Sequence, residues 1–205
     1  MNWLDSVTLA GPHARLEPLN DAHHDALCEA TQDGDLYRLW YTTVPSPAGM
    51  SAEIERRLAL QAAGSMLAFT VFDASDRVVG MSTYMNIDAA NRRVEIGSTW
   101  TAASAQRTPL NTQCKRLLLG HAFETLDCIA VEFRTHRLNT QSRRAIERLG
   151  AQLDGVLRAH QVSRDGLLRD TAVYSITATE WPAVRSHLEW QLAKPRSQNT
   201  GTRNE

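Results

Sequence analysis

The sequence predicts one α/β domain, with a mixed, mostly antiparallel sheet and helices on both faces. Three observations carry this expectation. The chain has 205 residues, and roughly 100–200 residues make one domain. Three strand-like runs, 67–73, 78–87 and 93–101, follow one another with short polar turns between them. After them the pattern alternates strand and helix, and a strand–helix–strand passage places parallel strands in the same sheet as the antiparallel ones.

Taken in order, residues 7–18 alternate weakly around Gly11-Pro12 and read as a strand or short hairpin. Asn20 suits the N-cap of a helix over 21–31. Residues 35–47 are aromatic and turn-rich, with Tyr37, Trp40, Tyr41, Pro45 and Pro47. Ser51 can cap a helix over 52–63, where Ile54, Leu58 and Ala62 recur at helical spacing. The turns Asp73–Asp76 and Asp88–Asn91 separate the three strands. A helix over 110–126 lines up Leu110, Cys114, Leu117, Leu118 and Ala122 on one stripe. A strand over 129–135 precedes a helix over 140–149 that Gly150 stops. Strands 151–158 and 168–176 flank a turn at Arg164-Asp165-Gly166, and an amphipathic helix over 180–192 closes the domain. The domain is expected over 1–193, and the apolar-poor tail 194–205 is expected to be disordered.

Composition removes several function classes. The 22 basic and 23 acidic residues give a net charge of −1, so the basic face that a duplex binder needs is not expected. No run approaches the ~18 apolar residues of a membrane span. The N-terminus lacks a basic n-region and carries Asp5, which argues against a signal peptide. Cys28, Cys114 and Cys128 are widely spaced, without CxxC or zinc-ligand spacing. They read as reduced thiols of a cytoplasmic protein. His23 and His24 are adjacent and point to different sides of a helix, while His136 and His160 are isolated, so no metal is expected.

The stretch Ser104–Ala122 carries the chemistry. A strand ending near Thr101 feeds a helix starting near Pro109, with Thr108 placed to cap it. Free first-turn amides and the helix dipole make an anion site, and Lys115 and Arg116 add charge one turn on. The other reading is a well-capped helix that binds nothing.

Gln106-Arg107-Thr108-Pro109-Leu110-Asn111 resembles the Q/R-x-x-G-x-G/A acetyl-CoA loop of the GNAT N-acetyltransferases. The continuation NTQCKRLLLGHAFE is similar to the NTEAK-x-LLL-x-HAFE form of the RimJ/RimL-like branch. Three further segments resemble that branch: Val94-Glu95-Ile96-Gly97-Ser98-Thr99-Trp100, Asn139 through Ala151, and Arg164-Asp165-Gly166-Leu167-Leu168-Arg169-Asp170. The resemblance covers roughly residues 8–192 and implies a single GNAT-type domain moving an acetyl group from acetyl-CoA to a primary amine. The acceptor would be a protein or peptide N-terminal α-amine or a small-molecule amine. An acyl-CoA-binding module with little catalysis is the alternative. A homodimer stays open.

Residue by residue, the resemblance implies a cofactor site of Trp100, Thr101, Gln106, Arg107, Thr108, Leu110, Asn111, Thr112, Asn139 and Arg144. Trp100 and Thr101 lie where backbone donors meet the oxyanion, Asn139 meets the pantetheine arm, and Arg144 lies near the 3′-phosphate. Trp40, Tyr41 and Tyr84 would form the acceptor wall. The base is Glu95 or Glu132, or a water chain in their place. Alternation places Glu132 opposite Val131 and Phe133, and an Arg-paired strand residue is its plainer reading. Two departures stand out: Pro109 and Asn111 replace small loop residues, and Ile146 stands where many relatives carry an acidic tyrosine. Ser142 is the branch's substitute for that tyrosine. Asn139 is also a good N-cap in its own right.

Overall fold

The computed structural model describes residues 3–163 and 165–195. Arg164 of the predicted turn lies outside the described residues, as does the expected tail from residue 196 on. Eight strands form one sheet in the order β1-β2-β3-β4-β5-β6-β8-β7. They are β1 (Leu9–Gly11), β2 (Ala14–Pro18), β3 (Met66–Asp73), β4 (Val78–Asp88), β5 (Arg93–Thr101), β6 (Ala130–His136), β7 (Gln152–Val162) and β8 (Leu168–Thr177). The helices are α1 (His24–Gln32), α2 (Met50–Ala62), α3 (Leu110–Gly120), α4 (Thr140–Glu147) and α5 (Trp181–Ala193). Only β5 and β6 pair in parallel among the described residues; every other ladder is antiparallel. The predicted mixed, mostly antiparallel sheet is therefore the observed one.

Local chemistry explains most boundaries. Asn20 Oδ1 accepts from the Ala22 amide and starts a 3₁₀ turn that leads into α1. The predicted Ser51 cap is corrected: Ser51 lies inside α2. Ser46 caps instead, accepting from the Gly49 amide at 3.2 Å, because Pro47 is preset for the first helical position. The long helix predicted over 110–126 is α3 plus one π-helical turn, His121–Thr125.

Register assigns the two faces of the sheet. Tyr84 pairs with Ile96, and its hydroxyl donates to the Leu118 carbonyl of α3. Tyr84, Ile96, Val131, Phe133, Tyr174 and Ile176 therefore share the α3 face and are buried. Fully burying each such side chain contributes roughly 1.5–3 kcal/mol. Thr83 pairs with Gly97 and meets Arg57 of α2 on the opposite face. Beyond β5 none of the helices among the described residues covers that second face. There a concavity of about 520 Å³ is lined by Arg93, Glu132, Arg134, Asp154, Val173 and Ser175, among others.

β4 and β5 approach closely beside an irregularity. Thr83 faces Gly97 and Met81 faces Trp100, so Ser98 and Thr99 together oppose Ser82. Ser98 adopts φ 45°. This is a β-bulge, which bends its strand and ends regular pairing. A Cβ at Gly80 would stand 2.1 Å from the Trp100 carbonyl oxygen, so only glycine lets the bulged strand come this near.

Candidate active site

The parallel pair opens at one end. β5 and β6 pair from Arg93/Ala130 to Glu95/Glu132 and no further, although β5 runs to Thr101 and β6 to His136. The bulge at Ser98–Thr99 bends β5 away from β6. α3 follows β5 and α4 follows β6, so the two helix N-termini stand at the open end. Ligands bind at the carboxyl ends of parallel strands for this reason: strand edges and helix N-termini both offer unpaired backbone N–H groups.

At α3, Thr108 Oγ1 donates to the Ala105 carbonyl at 2.7 Å and accepts from the Leu110 amide at 3.2 Å. Leu110 was expected to offer its amide to a cofactor. That amide is already engaged, and the Leu110 side chain is in the core. The amides of Asn111 and Thr112 have no partner among the described residues. No acidic residue lies in this first turn. Arg107, at φ 60°, turns the chain into the helix and is exposed. Gln106 Nε2 donates to the Thr101 carbonyl at 2.9 Å, tying the loop to the end of β5. These features fit a pyrophosphate: two free amides, positive charge, no competing carboxylate.

The charges sit elsewhere than the sequence suggested. Lys115 is fully buried, and its Nζ donates to Thr99 Oγ1 at 3.1 Å and Ser82 Oγ at 3.4 Å beneath the bulge. Arg116 pairs with Glu189 of α5. Neither serves the helix N-terminus. Arg148, at the end of α4, donates to Thr112 Oγ1 at 3.3 Å and does serve it. Arg144 is exposed on α4. Arg148 was visible only as part of an arginine-rich helix face, and its contact depends on how α4 docks against α3.

Lys115 yields a stability prediction. Burial without a carboxylate partner lowers its pKa to about 8 from 10.5. Below pH 8 both folded and unfolded chains hold the proton, and the folded state bears the full cost of the buried charge. Between about 8 and 10.5 the folded chain sheds it first, so this group's contribution to stability rises with pH. Lys115→Met should stabilise the fold at pH 7 by on the order of 1–3 kcal/mol. It should also flatten the rise toward pH 10 in denaturant titrations. Ser82 and Thr99 stay satisfied by their mutual 2.8 Å hydrogen bond. Loss of stability at pH 7 would contradict this account.

Glu95 and Glu132 stand side by side where the strands part, both on the face away from α3. Glu132 is held by Arg93 at 2.7 Å and Arg134 at 2.9 Å. Glu95 is only 5% exposed. It accepts from Asn86 Nδ2 at 2.7 Å and lies 3.5 Å from Arg134. Burial, helped by the neighbouring Glu132 charge, raises its pKa above the ordinary carboxylate value despite Asn86 and Arg134. A Cβ at Gly97 would come within 2.8 Å of the Glu95 carboxylate, so glycine there leaves it room.

At α4, Asn139 Oδ1 accepts from the Ser142 amide at 3.0 Å, the predicted cap. The Ser142 hydroxyl has no partner among the described residues. Trp40 is 63% exposed and meets His136 edge-on at 5.4 Å and Tyr41 at 5.6 Å. Trp40 and Tyr41 thus stand over the open end of β6. Tyr84 is a correction: it is fully buried on the α3 face with its hydroxyl bonded to the Leu118 carbonyl, so it has no surface to offer an acceptor. Trp100 is buried, with its Nε1 unpartnered among the described residues.

The profile of the acetyltransferase (GNAT) domain matches residues 13–152. The chain belongs to the GNAT acetyltransferase family. YdaF of Bacillus subtilis (strain 168), provisionally named a ribosomal N-acetyltransferase, is 32% identical over 111 residues. That alignment covers 54% of this chain and 58% of YdaF, so the chain spans under two thirds of this curated relative. A GCN5-related N-acetyltransferase structure from Brucella melitensis is 31% identical with TM-score 0.84, covering 97% of this chain and 90% of that one. Mycobacterium smegmatis RimJ, solved with CoA-disulfide, shares the fold at TM-score 0.76 and 22% identity, covering 93% of this chain and 96% of that one. Among the described residues no group of His, Cys, Asp or Glu could hold a metal ion.

Proposed function

We propose that this GNAT domain transfers the acetyl group of acetyl-CoA to a primary amine, by direct attack with both substrates bound. The acceptor is an N-terminal α-amine of a protein or peptide, or a small-molecule amine. One observation carries the reading: β5 and β6 part immediately beyond Glu95 and Glu132, with the free amides of α3 at the open end. The RimJ neighbour's CoA-disulfide supports CoA as the ligand, and the name of YdaF supports a ribosomal protein among the acceptors.

Acetyl-CoA supplies the activated acyl group as a thioester. The residues around it then have defined tasks. Asn111 and Thr112 amides, with Arg107 and Arg148, hold the pyrophosphate. Edge N–H groups of β5 around Trp100 and Thr101 receive the developing oxyanion. Glu95 takes the proton of the attacking amine, its raised pKa bringing it nearer the pH of the reaction. Ser142 donates a hydrogen bond to the departing sulfur, where Ile146 offers none. Fixing both reactants in the cleft can itself contribute ~7–11 kcal/mol.

The test has two readouts. CoA at ~100 times its Kd should stabilise the fold by roughly 2.7 kcal/mol. Thiol release should then appear with members of an amine panel. A thermal shift without thiol release would favour the acyl-CoA-binding module, and no shift at millimolar acetyl-CoA would defeat both readings.

Ser142→Ala should lower kcat while leaving acetyl-CoA affinity nearly unchanged, because a ground-state thioester sulfur is a weak acceptor. Losing one donor of ~1–3 kcal/mol corresponds to a ~5- to 150-fold slower turnover. Full turnover in the variant would reduce Ser142 to a helix-start residue.

A further inference from the structure

Among the described residues, the uncovered face holds one cation that its network leaves out. Register places Arg93 and Glu95 on β5, Glu132, Arg134 and His136 on β6, and Arg169 and Thr171 on β8 on this face. Arg93, Glu132, Arg134 and Glu95 form a continuous chain of ion pairs. Arg169 makes no ion pair or hydrogen bond among the described residues, and its Nε is buried without a partner. Alternation along β8 puts Arg169 one step beyond Thr171, which faces His136 near the end where β5 and β6 part. Its Nε is buried and not out in solvent, and its charge acts on both Glu95 and His136. Trp40, edge-on to His136, walls the same space.

A half-buried guanidinium with an orphaned N–H is costly unless something pairs with it. The acceptor cleft is where that partner would arrive. We propose that Arg169 binds a carboxylate carried by the acceptor close to its reacting amine, while Glu95 faces the amine itself. This rests on the acetyl-transfer reading and narrows its substrate class. The carboxylate has two sources: an acidic residue next to a peptide's N-terminal amine, or the α-carboxylate of a free amino acid. Guanidinium and carboxylate match in a two-bond fork, which an ammonium does not reproduce.

The experiment measures kcat/KM at saturating acetyl-CoA for matched acceptors. One pair is a short peptide beginning Ser-Asp against the same peptide beginning Ser-Asn; the other is free serine against serinamide, with rates compared per unprotonated amine because the two amines differ in basicity. The parent protein should prefer the carboxylate-bearing member of one pair by about 10-fold or more, and the pair that responds identifies the source. Arg169→Gln should bring that ratio near one, and Arg169→Lys should restore part of it. A parent that prefers neither acidic member overturns the proposal, and this needs no variant to fold. So does an Arg169→Gln protein that slows both members equally with the ratio intact. Thiol release from the neutral acceptors without a charge preference defeats this inference alone. If no amine releases thiol, the acetyl-transfer reading fails. Thermal shifts of the CoA-loaded protein with the same four acceptors then decide Arg169 separately: an acidic preference lost in Arg169→Gln supports the site, and equal shifts overturn it.

Discussion

Glu95→Gln is expected to lower kcat/KM at pH 7 by about 10²-fold or more, the range of a positioned general base, while raising the stability of the fold. The two effects have one cause. Burial raises the Glu95 pKa, so ionising it costs the folded state more than the unfolded one. For an acid shifted upward, the native chain binds the extra proton. Stability therefore falls as pH rises from the ordinary carboxylate value through the raised one, and the cost persists above it. Glutamine removes that cost and keeps the shape beside Asn86 and Gly97. A variant that is slower yet melts higher cannot be explained by unfolding. The pH profile adds a second signature. Below the raised pKa, both Glu95 and the amine must lose a proton, so log kcat/KM should rise with slope two. In Glu95→Gln the slope should fall to one.

Glu132→Gln should behave differently. Glu132 holds Arg93 and Arg134, so its loss leaves Arg93 without a carboxylate partner and Arg134 with Glu95 alone. The expected outcome is a lower melting temperature with a smaller rate loss. A larger rate loss than Glu95→Gln would reverse the assignment. If neither substitution matters, a water chain takes the proton.

How far the sequence could anticipate this site depends on which kind of contact each residue makes. The succession of strands and helices along the chain was legible because it follows from turns, caps and periodicity, all local. The loop proposed to hold acetyl-CoA was legible as a capped helix start, and Thr108 and Asn139 do cap. Alternation also placed Glu132 opposite Val131 and Phe133. Alternation does not say which face a helix will cover, and that undid the expectation for Tyr84: α3 lies on its side of the sheet. Lys115 and Arg116 looked like charge for an anion site because both follow the helix start. One turns toward the bulge and the other toward α5, and both orientations are set by packing. Arg148 and Arg169 lay inside motifs already noticed. What singles them out is a contact with α3 in one case and a missing partner in the other. Neither is a property of neighbouring residues in the chain.

The largest effect on binding is expected from Asn111→Glu, which should remove most of the thermal shift given by CoA. On the proposed reading the start of α3 holds the pyrophosphate by charge: two amides unpaired among the described residues, the helix dipole, and Arg107 and Arg148. A carboxylate at 111 would occupy those donors itself and repel the pyrophosphate. At an effective dielectric constant of 20, each pair of like charges 4 Å apart costs about 4 kcal/mol, so a 100-fold loss of affinity is a modest expectation. With CoA at ~100 times the parent's Kd, the stabilisation would then drop from roughly 2.7 to about 0.4 kcal/mol. For a chain of this size that is a fall from about 5–10 °C to 1–2 °C. The substitution should leave the free protein intact, because an acidic side chain in a helix's first turn interacts favourably with the dipole by about 0.3–1 kcal/mol. Asn111→Gly provides the opposite arm: it restores the small residue usual in such loops and should bind CoA at least as well as the parent. A full shift retained in Asn111→Glu would place the pyrophosphate elsewhere. A shift lost in both variants would mean that the asparagine side chain itself makes the contact.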